Sequence, residues 1–187
     1  LELFLQFNRS IPDYIFVPVG DGVIISGVYK GYEDLFRVGL IDRMPTIVAV
    51  QAAGSSNLID NIGKPNFTIK PSQTIADSIS VDVPRNFYMA QNFIIHYQGE
   101  YLSVTDREIV EASKILARST GIFAEPAAAA AYAGMISYNK QDKLHSKQKV
   151  VVLLTGSGLK DLKALSSIVN IPDAIEPSLE ALKKIFK

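Results

Sequence analysis

The feature that most constrains the fold is an apolar run, residues 14–19, that stops at Gly20-Asp21-Gly22 and is followed by a helical pattern. The helical pattern consists of apolar residues at helical spacing: Ile24, Val28, Tyr32, Leu35 and Phe36. A second apolar run, residues 46–52, comes after it. Runs without polar alternation are typical of strands covered on both faces. The segment therefore predicts a strand, a helix and a parallel strand, with the first loop at the carboxyl edge of the sheet, where α/β proteins bind ligands.

The Gly-Asp-Gly turn supports two interpretations. The backbone N–H groups of Val23, Ile24 and Ile25 would open the helix and point at an anion, which the helix dipole also favours. Alternatively, the two glycines only reverse the chain between a buried strand and a surface helix. The local sequence leaves both interpretations open.

The composition argues against several kinds of function. Of 187 residues, 48% are apolar, and 19 basic residues balance 19 acidic ones, so we expect one α/β domain over residues 1–187 and no nucleic-acid partner. The chain contains no cysteine and only two histidines. These counts argue against a disulfide framework, a thiolate nucleophile and a metal site.

The sequence also lacks the signals of membrane insertion and secretion. No apolar run reaches the roughly 20 residues of a membrane-spanning helix, and the N-terminus has no basic start or small-residue cleavage site. We therefore expect no membrane partner and a cytoplasmic location. The chain begins with Leu1 rather than Met, which leaves open that it is a fragment of a longer protein.

Local signals predict further helices. Thr105 is a candidate N-cap, Glu108 completes a capping box, and Gly121 marks the end of that helix. Pro126 fits the first turn of the next helix, whose alanines favour helix and permit close packing. The remaining segments are predicted to be a loop over 54–71, a short helix over 73–80 and an amphipathic helix over 172–186.

Residues 150–158 predict a third buried strand, which ends in Thr155-Gly156-Ser157-Gly158. If this strand lies near the first one, the two glycine-containing turns face one crevice. A ligand with a phosphate and an aromatic ring would suit them, because the first turn offers backbone donors and the Thr155 hydroxyl can meet a ring nitrogen. The predicted fold class is α/β, a three-layer αβα domain with a mainly parallel sheet.

Residues 12–186 as a whole resemble the C-terminal portion of the threonine synthases, which are pyridoxal phosphate enzymes of fold type II. The segments that carry the resemblance are PVGDGVIISGVYKGYEDL, TIADSISVDVPRN, GIFAEPAAAAAYAGM and LLTGSGLKD. They occur in the family's order and are spread over nearly the whole chain. The resemblance implies the C-terminal portion of the fold type II fold, with pyridoxal 5'-phosphate as the cofactor.

The resemblance implies roles for residues that match the family's motifs. The family's phosphate loop corresponds to five consecutive residues: Gly20, Asp21, Gly22, Val23 and Ile24. The threonine that meets the pyridine nitrogen in the family corresponds to Thr155, and the glutamate near the cofactor ring corresponds to Glu125. Structural roles are the alternatives, with Thr155 as a strand-end cap and Glu125 as a favourable charge at a helix N-terminus.

The chain departs from the family pattern in two respects. Asp21 stands where much of the family has Asn, and a carboxylate about 4 Å from a phosphate would cost about 1 kcal/mol in water; we expect Asp21 to point away or to bind another group. Val23 replaces a more permissive residue and is expected to avoid positive φ. The family's cofactor-bonding lysine, in an S-F-K-D-R segment, has no match here, and Lys160 matches only the later L-K-D. We therefore expect no catalytic residue in this chain.

The resemblance implies the conversion of O-phosphohomoserine and water to threonine and phosphate by a protein that is a homodimer when intact. Within the same class, an enzyme related to cysteate synthase or threonine dehydratase is an alternative. A non-catalytic binding or regulatory domain that retains the fold is an alternative from another class.

Overall fold

The computed structural model describes residues 1–160 and 174–185. In the described residues, the sheet has the strand order β3-β2-β1-β4, and each neighbouring pair is parallel. The strands are β1 (Tyr14–Pro18), β2 (Thr46–Ala52), β3 (Glu100–Val104) and β4 (Val150–Val152). The strand-helix-strand unit and the parallel sheet predicted from the sequence are confirmed.

Helices cover both faces of this sheet. Their bounds are α1 (Glu2–Gln6), α2 (Val23–Arg37), α3 (Phe87–His96), α4 (Asp106–Thr120), α5 (Pro126–Lys140) and α6 (Leu179–Ile185), and four short 3₁₀ segments lie at Ala53–Ser55, Ile59–Asn61, Asp77–Ile79 and Gly158–Lys160. Helices α2 and α3 pack on one face and α4 and α5 on the other. The predicted three-layer αβα architecture is therefore confirmed. No helix in the described ranges combines the length and the hydropathy needed to cross a bilayer.

The strand β1 shows why its sequence has no polar alternation. Ile15 and Val17 face the core under α2 and α3, whereas Phe16 faces the core under α5 and packs edge-on against the Tyr138 ring. Successive side chains of a strand point to opposite faces, so a strand with helices on both sides must be apolar at every position.

The order of the strands creates a switch point at the centre of the fold. The chain proceeds outward from β1 to β2 and β3, and then returns through α4 and α5 to add β4 on the other side of β1. Connections therefore diverge between β1 and β4. In open parallel sheets, a crevice forms at such a point outside the carboxyl ends of the strands.

The signals that predicted α4 and α5 are confirmed. The Glu108 amide donates to Thr105 Oγ1 at 3.3 Å and the Thr105 amide donates to Glu108 Oε2 at 2.7 Å, while Gly121 ends α4 at φ +74°. Pro126 occupies the first turn of α5. A Cβ atom on Gly134 would lie 2.6 Å from Val50 Cγ2, so small residues do permit α5 to approach the sheet closely.

Other expectations need correction. Residues 150–158 do not form one buried strand: β4 covers only Val150–Val152 and is half-buried, because it is the end strand of the described sheet and pairs with β1 alone. The buried face of α2 contains Ile25 and Tyr29, whereas Ile24 is exposed.

The smaller elements differ from the prediction as well. Within 73–80 the structure has only the 3₁₀ segment Asp77–Ile79, and the tail contains the helix Leu179–Ile185. Parts of the predicted tail helix, Pro172, Asp173 and Phe186, lie outside the described residues. Among the α-helices and strands of the described residues, sequence analysis did not predict α1, α3 and β3.

Candidate functional site

A pocket of about 290 Å³ lies at the carboxyl ends of β1 and β4, at the switch point. Its lining residues are Pro18, Gly20, Asp21, Gly22, Val23, Ile24, Ser78, Ile79, Glu125, Ala127, Thr155 and Lys160. The structure thus brings together every site residue predicted from the sequence. The two glycine-containing turns face one crevice because their strands are direct neighbours.

The turn after β1 requires glycine at its last position. Gly22 is the N-cap of α2 and has φ +85°, a conformation that glycine adopts without strain. A Cβ atom there would also lie 2.9 Å from Leu58 Cδ1 and 3.0 Å from the Ala90 methyl. Both the backbone and the packing therefore select this residue.

The N-terminus of α2 offers free backbone donors to the pocket. Its first intrahelical bond runs from the Ser26 amide to the Gly22 carbonyl at 3.2 Å, so the amides of Val23, Ile24 and Ile25 precede the helical ladder. Among the residues that the structure describes, no side chain caps this helix, and its first turn contains no acidic residue. Unbonded amides at a helix N-terminus, together with the helix dipole, favour an anion.

Asp21 does not compete with an anion for these donors. Its Oδ1 accepts the Arg85 amide at 3.0 Å, and its backbone carbonyl accepts the Asn86 amide at 3.0 Å. The expectation that Asp21 binds another group is confirmed. Val23 has ordinary helical backbone as the first residue of α2, as expected.

Asn86 holds the turn from the opposite side, and sequence analysis did not identify it. Its Nδ2 donates to the Gly22 carbonyl at 3.2 Å and to Ser26 Oγ at 2.8 Å. The signal in the sequence is an Asn directly before a helix, but that pattern suggests only a cap for α3. Asn86 instead bonds Gly22 and Ser26, which are distant in the sequence, so only the folded structure reveals this role.

Thr155 follows β4 at the opposite wall of the pocket. Its side chain is exposed, and within the described ranges its hydroxyl forms no hydrogen bond with protein atoms. A role as strand-end cap therefore has no support in the described residues. The hydroxyl is free to donate to or accept from a ligand atom.

Glu125 is the N-cap of α5, yet its side chain makes no capping hydrogen bond. It is only 4% exposed, and its Oε2 accepts Ser78 Oγ at 3.4 Å and lies 3.6 Å from Lys160 Nζ. A Cβ atom on Gly156 would lie 2.1 Å from Glu125 Oε1, so glycine at this position makes room for the carboxylate. A buried charge of this kind requires partners, and the lysine at the pocket mouth is one.

Ser78 and Ile79 belong to the pocket, although the sequence analysis gave neither residue a role within the TIADSISVDVPRN segment. A buried serine, Ser55, fixes this segment: its Oγ donates to the Ile79 carbonyl at 3.2 Å and accepts the Val81 amide at 2.9 Å. The segment packs so closely that a Cβ on Gly20 would lie 3.0 Å from Ile79 Cα. The loop between β2 and α3 is therefore the third side of the pocket.

The fold and the pocket together define a class: a doubly wound α/β protein whose switch-point pocket is lined by a helix N-terminus and a hydroxyl. The family model described as "Pyridoxal-phosphate dependent enzyme" matches residues 1–156. This chain therefore belongs to the family of pyridoxal phosphate-dependent enzymes. The family implies pyridoxal phosphate as the cofactor.

Within this family, the chain is similar to curated threonine synthases. The chain is 36% identical to the threonine synthase of Methanocaldococcus jannaschii, an alignment that covers 100% of this chain and 47% of the relative. It is 32% identical to the threonine synthase of Methanosarcina acetivorans, over 98% of this chain and 46% of the relative. The chain thus spans about half the length of the curated relatives that it matches.

Solved structures agree on the fold. A fungal L-serine ammonia-lyase from Rhizomucor miehei superposes with a TM-score of 0.71 at 24% identity, covering 83% of this chain and 49% of that one. The processed threonine deaminase isoform 2 of Solanum lycopersicum gives a TM-score of 0.71 at 20% identity, covering 88% and 46%. At these identities the likeness concerns the fold, and it supports the fold type II architecture.

Proposed function

We propose that the pocket between β1 and β4 binds pyridoxal phosphate and that the whole protein is a threonine synthase. Cofactor binding is supported by two features on opposite walls of the pocket at the switch point. One is the uncapped N-terminus of α2, and the other is the Thr155 hydroxyl, which bonds no protein atom in the described residues. The cofactor's phosphate and pyridine ring require these two kinds of group at opposite ends of one site.

The residues of the pocket fit this cofactor. The amides of Val23, Ile24 and Ile25 would receive the phosphate, aided by Gly20 and Gly22 in the turn. The Asp21 carboxylate is engaged by the Arg85 amide through its Oδ1 and is not proposed as a ligand of the phosphate. The binding loop expected from the sequence, residues 20–24, is retained in this proposal with backbone atoms as the ligands.

The opposite wall would set the electronics of the ring. The Thr155 hydroxyl would meet the pyridine nitrogen, and a hydroxyl partner leaves that nitrogen largely unprotonated, unlike a carboxylate. Glu125 would lie beside the ring, with Lys160 at 3.6 Å compensating its charge. When bound, the cofactor supplies the electron sink for carbanions formed on an amino-acid substrate.

The proposed reaction converts O-phosphohomoserine and water to threonine and phosphate. The support is the match to threonine synthases at 36% and 32% identity over essentially the whole chain. The deaminase and ammonia-lyase structures are more distant in sequence and do not favour those substrates. We also propose that the intact enzyme is a cytoplasmic homodimer.

We further propose that this chain anchors the cofactor but does not bond it covalently. Lys160 lines the pocket, but it is exposed, paired with Glu125 and matches the family's L-K-D segment. Borohydride reduction of the 187-residue chain mixed with pyridoxal phosphate, followed by peptide mapping, tests this point. We expect only scattered, substoichiometric labelling of lysines, and stoichiometric labelling of one lysine would contradict the proposal.

An assay of the protein purified in the form that the cell makes tests the activity. We expect equal amounts of threonine and phosphate from O-phosphohomoserine. Ammonia release from threonine or serine without that reaction would identify a deaminase instead. Neither reaction, together with saturable cofactor binding, would indicate a binding or regulatory protein.

A further inference from the structure

A second cavity lies between α2 and α3, and it shares no lining residue with the pocket at the switch point. This α2–α3 groove has a volume of about 770 Å³, within the range of small-molecule sites. Its lining includes Glu33 and Arg37 from α2 and Met89, Phe93, Ile95 and His96 from α3.

The groove contains a buried carboxylate. Glu33 is only 8% exposed, and its Oε1 accepts both the Tyr97 hydroxyl at 2.9 Å and Arg37 Nη2 at 3.1 Å. Its other oxygen, Oε2, accepts no hydrogen bond from the described residues and is not enclosed. One face of a largely desolvated carboxylate is therefore available to a donor in the groove.

Opposite charges stand side by side at this point. The Arg37 side chain is mostly exposed, while its guanidinium lies 3.1 Å from the Glu33 carboxylate, and the His96 ring lines the same groove. An α-amino acid carries its ammonium and its carboxylate on one carbon, so its two charges are spaced like this pair. A planar guanidinium is also well suited to bind a carboxylate.

Apart from the exposed Asn92, the rest of the groove is apolar. Met89 and Ile95 are exposed large hydrophobic residues, and Phe93 is half-buried and stacks on Tyr29 with ring centroids 5.5 Å apart. An apolar side chain laid against them would bury surface that is now in water.

We propose that the α2–α3 groove binds a free α-amino acid with an apolar side chain. The ammonium donates to Glu33 Oε2, the carboxylate accepts from Arg37, and the side chain packs on Met89, Phe93 and Ile95. This inference goes beyond the proposed function and does not rest on it, because the groove and the pocket are separate.

Titration of the 187-residue chain with L-leucine, followed by amide NMR shifts and by calorimetry, tests the proposal. We expect saturable shifts at α2 and α3 amides around the groove. Three probes each lack one feature: 3-methylbutylamine has no carboxylate, 4-methylpentanoate has no ammonium, and glycine has no apolar side chain. Each should bind roughly tenfold or more weakly.

Two variants locate the binding. Glu33→Gln removes the charge that meets the ammonium, and Arg37→Gln removes the carboxylate donor from an exposed position where folding is little affected. Both should weaken L-leucine binding roughly tenfold or more, and Arg118→Gln, an exposed arginine on α4, should leave it unchanged. If Glu33→Gln does not fold, the Arg37→Gln result decides.

The absence of saturable L-leucine binding would overturn the proposal. So would equal affinity for leucine and its truncated probes, or unchanged binding in Arg37→Gln. If sedimentation shows self-association and the groove amides are covered by a second copy without leucine binding, the groove is an interface between copies and the proposal is wrong.

Discussion

Two helices of equal length, α2 and α4, begin in opposite ways. Each has 15 residues, but α4 closes its N-terminus with the Thr105–Glu108 capping box and places Asp106 and Glu108 in its first turn. Helix α2 begins at Gly22 without a side-chain cap or an acidic residue in its first turn. The side chains of α4 itself bond its Glu108 amide and oppose its dipole, whereas within the described residues the first amides of α2 have no partner and face a pocket.

The comparison shows that the backbone amides without a capping partner in the described residues lie at the start of α2. A glycine N-cap is less favourable than a capping side chain by only roughly a few tenths of a kcal/mol, and α2 is in addition held in place by bonds from other elements, chiefly those of Asn86 and Asp21. Its amides thus remain free for an anion while the turn itself is fixed. Variants can test whether bonds from other elements hold the start of α2 and whether its own residues hold the start of α4.

The largest effect is expected at Gly22. Gly22→Ala should lower the free energy of unfolding by about 2–4 kcal/mol, because it adds strain at positive φ to a clash with Leu58 and Ala90. Gly39 is a matched control, since it has φ +74° and open space around its Cβ position, and Gly39→Ala should cost about 1–2 kcal/mol. Urea unfolding measures both. Equal losses would show that the neighbours of Gly22 do not constrain the turn.

Removing the Asn86 side chain should have the next largest effect. Asn86→Ala deletes the bonds to the Gly22 carbonyl and to Ser26 Oγ, and we expect a loss of about 1–2 kcal/mol in the free energy of unfolding. Asn139→Ala, at an exposed position near the end of α5, should change it by less than about 0.5 kcal/mol. If the two variants are equally stable, Asn86 does not hold the start of α2.

Helix α4 should respond to pH through its cap. The hydrogen bond from the Thr105 amide, and then that of the Thr105 side chain, lowers the pKa of Glu108. A carboxylate with a lowered pKa stabilises the fold above its unfolded pKa of about 4.3, and this contribution is lost as the pH falls further, through the folded pKa. Glu108→Gln should thus cost a few tenths of a kcal/mol at neutral pH and nothing in strong acid. A difference that is independent of pH would contradict this account of the cap.

The smallest effect on stability is expected at Thr155. Since its hydroxyl is exposed and bonds no protein atom in the described ranges, Thr155→Val should change the free energy of unfolding by less than about 0.5 kcal/mol. In the intact enzyme the same variant should alter the cofactor absorption spectrum and lower turnover. Thr68→Val, at an exposed position outside the pocket lining, is the control for both measurements. An unaltered spectrum with full turnover in Thr155→Val would remove Thr155 from the proposed site.

Local sequence signals predicted the helix starts and ends that depend on interactions between residues close in the sequence. The box at Thr105, the end at Gly121 and the start at Pro126 each depend on a few neighbouring residues, and all three are confirmed. The apolar runs predicted β1 and β2 because strands covered on both faces must be apolar throughout.

Elements at the edge of the fold were not predictable in the same way. The strand β3 alternates between half-buried and exposed positions before the buried Val104, and β4 is shorter and less buried than its apolar sequence indicates. Their exposure is decided by the strand order, which periodicity does not contain.

The residues of the pocket also fall into two groups: those that sequence motifs predict and those that only the folded structure identifies. Residues 20–24, Glu125 and Thr155 come from motifs and do lie together, while their contact with a cofactor stays a prediction. Ser78, Ile79 and Asn86 act through bonds that span long stretches of chain, so only the folded structure identifies them. The single domain over 1–187 likewise stays a prediction.

The central claim is that the free amides of α2 bind the phosphate of a pyridoxal-type ligand. Pyridoxine 5'-phosphate tests it most directly, because it lacks the aldehyde that would react with lysines, and pyridoxine is the matched ligand without phosphate. In amide NMR titrations of the 187-residue chain, we predict saturable shifts of Gly22, Val23 and Ile24 with pyridoxine 5'-phosphate. Pyridoxine should leave these amides unchanged, and neither ligand should shift Glu108 at the capped start of α4. Equal shifts with both ligands, or none at α2, would contradict the account.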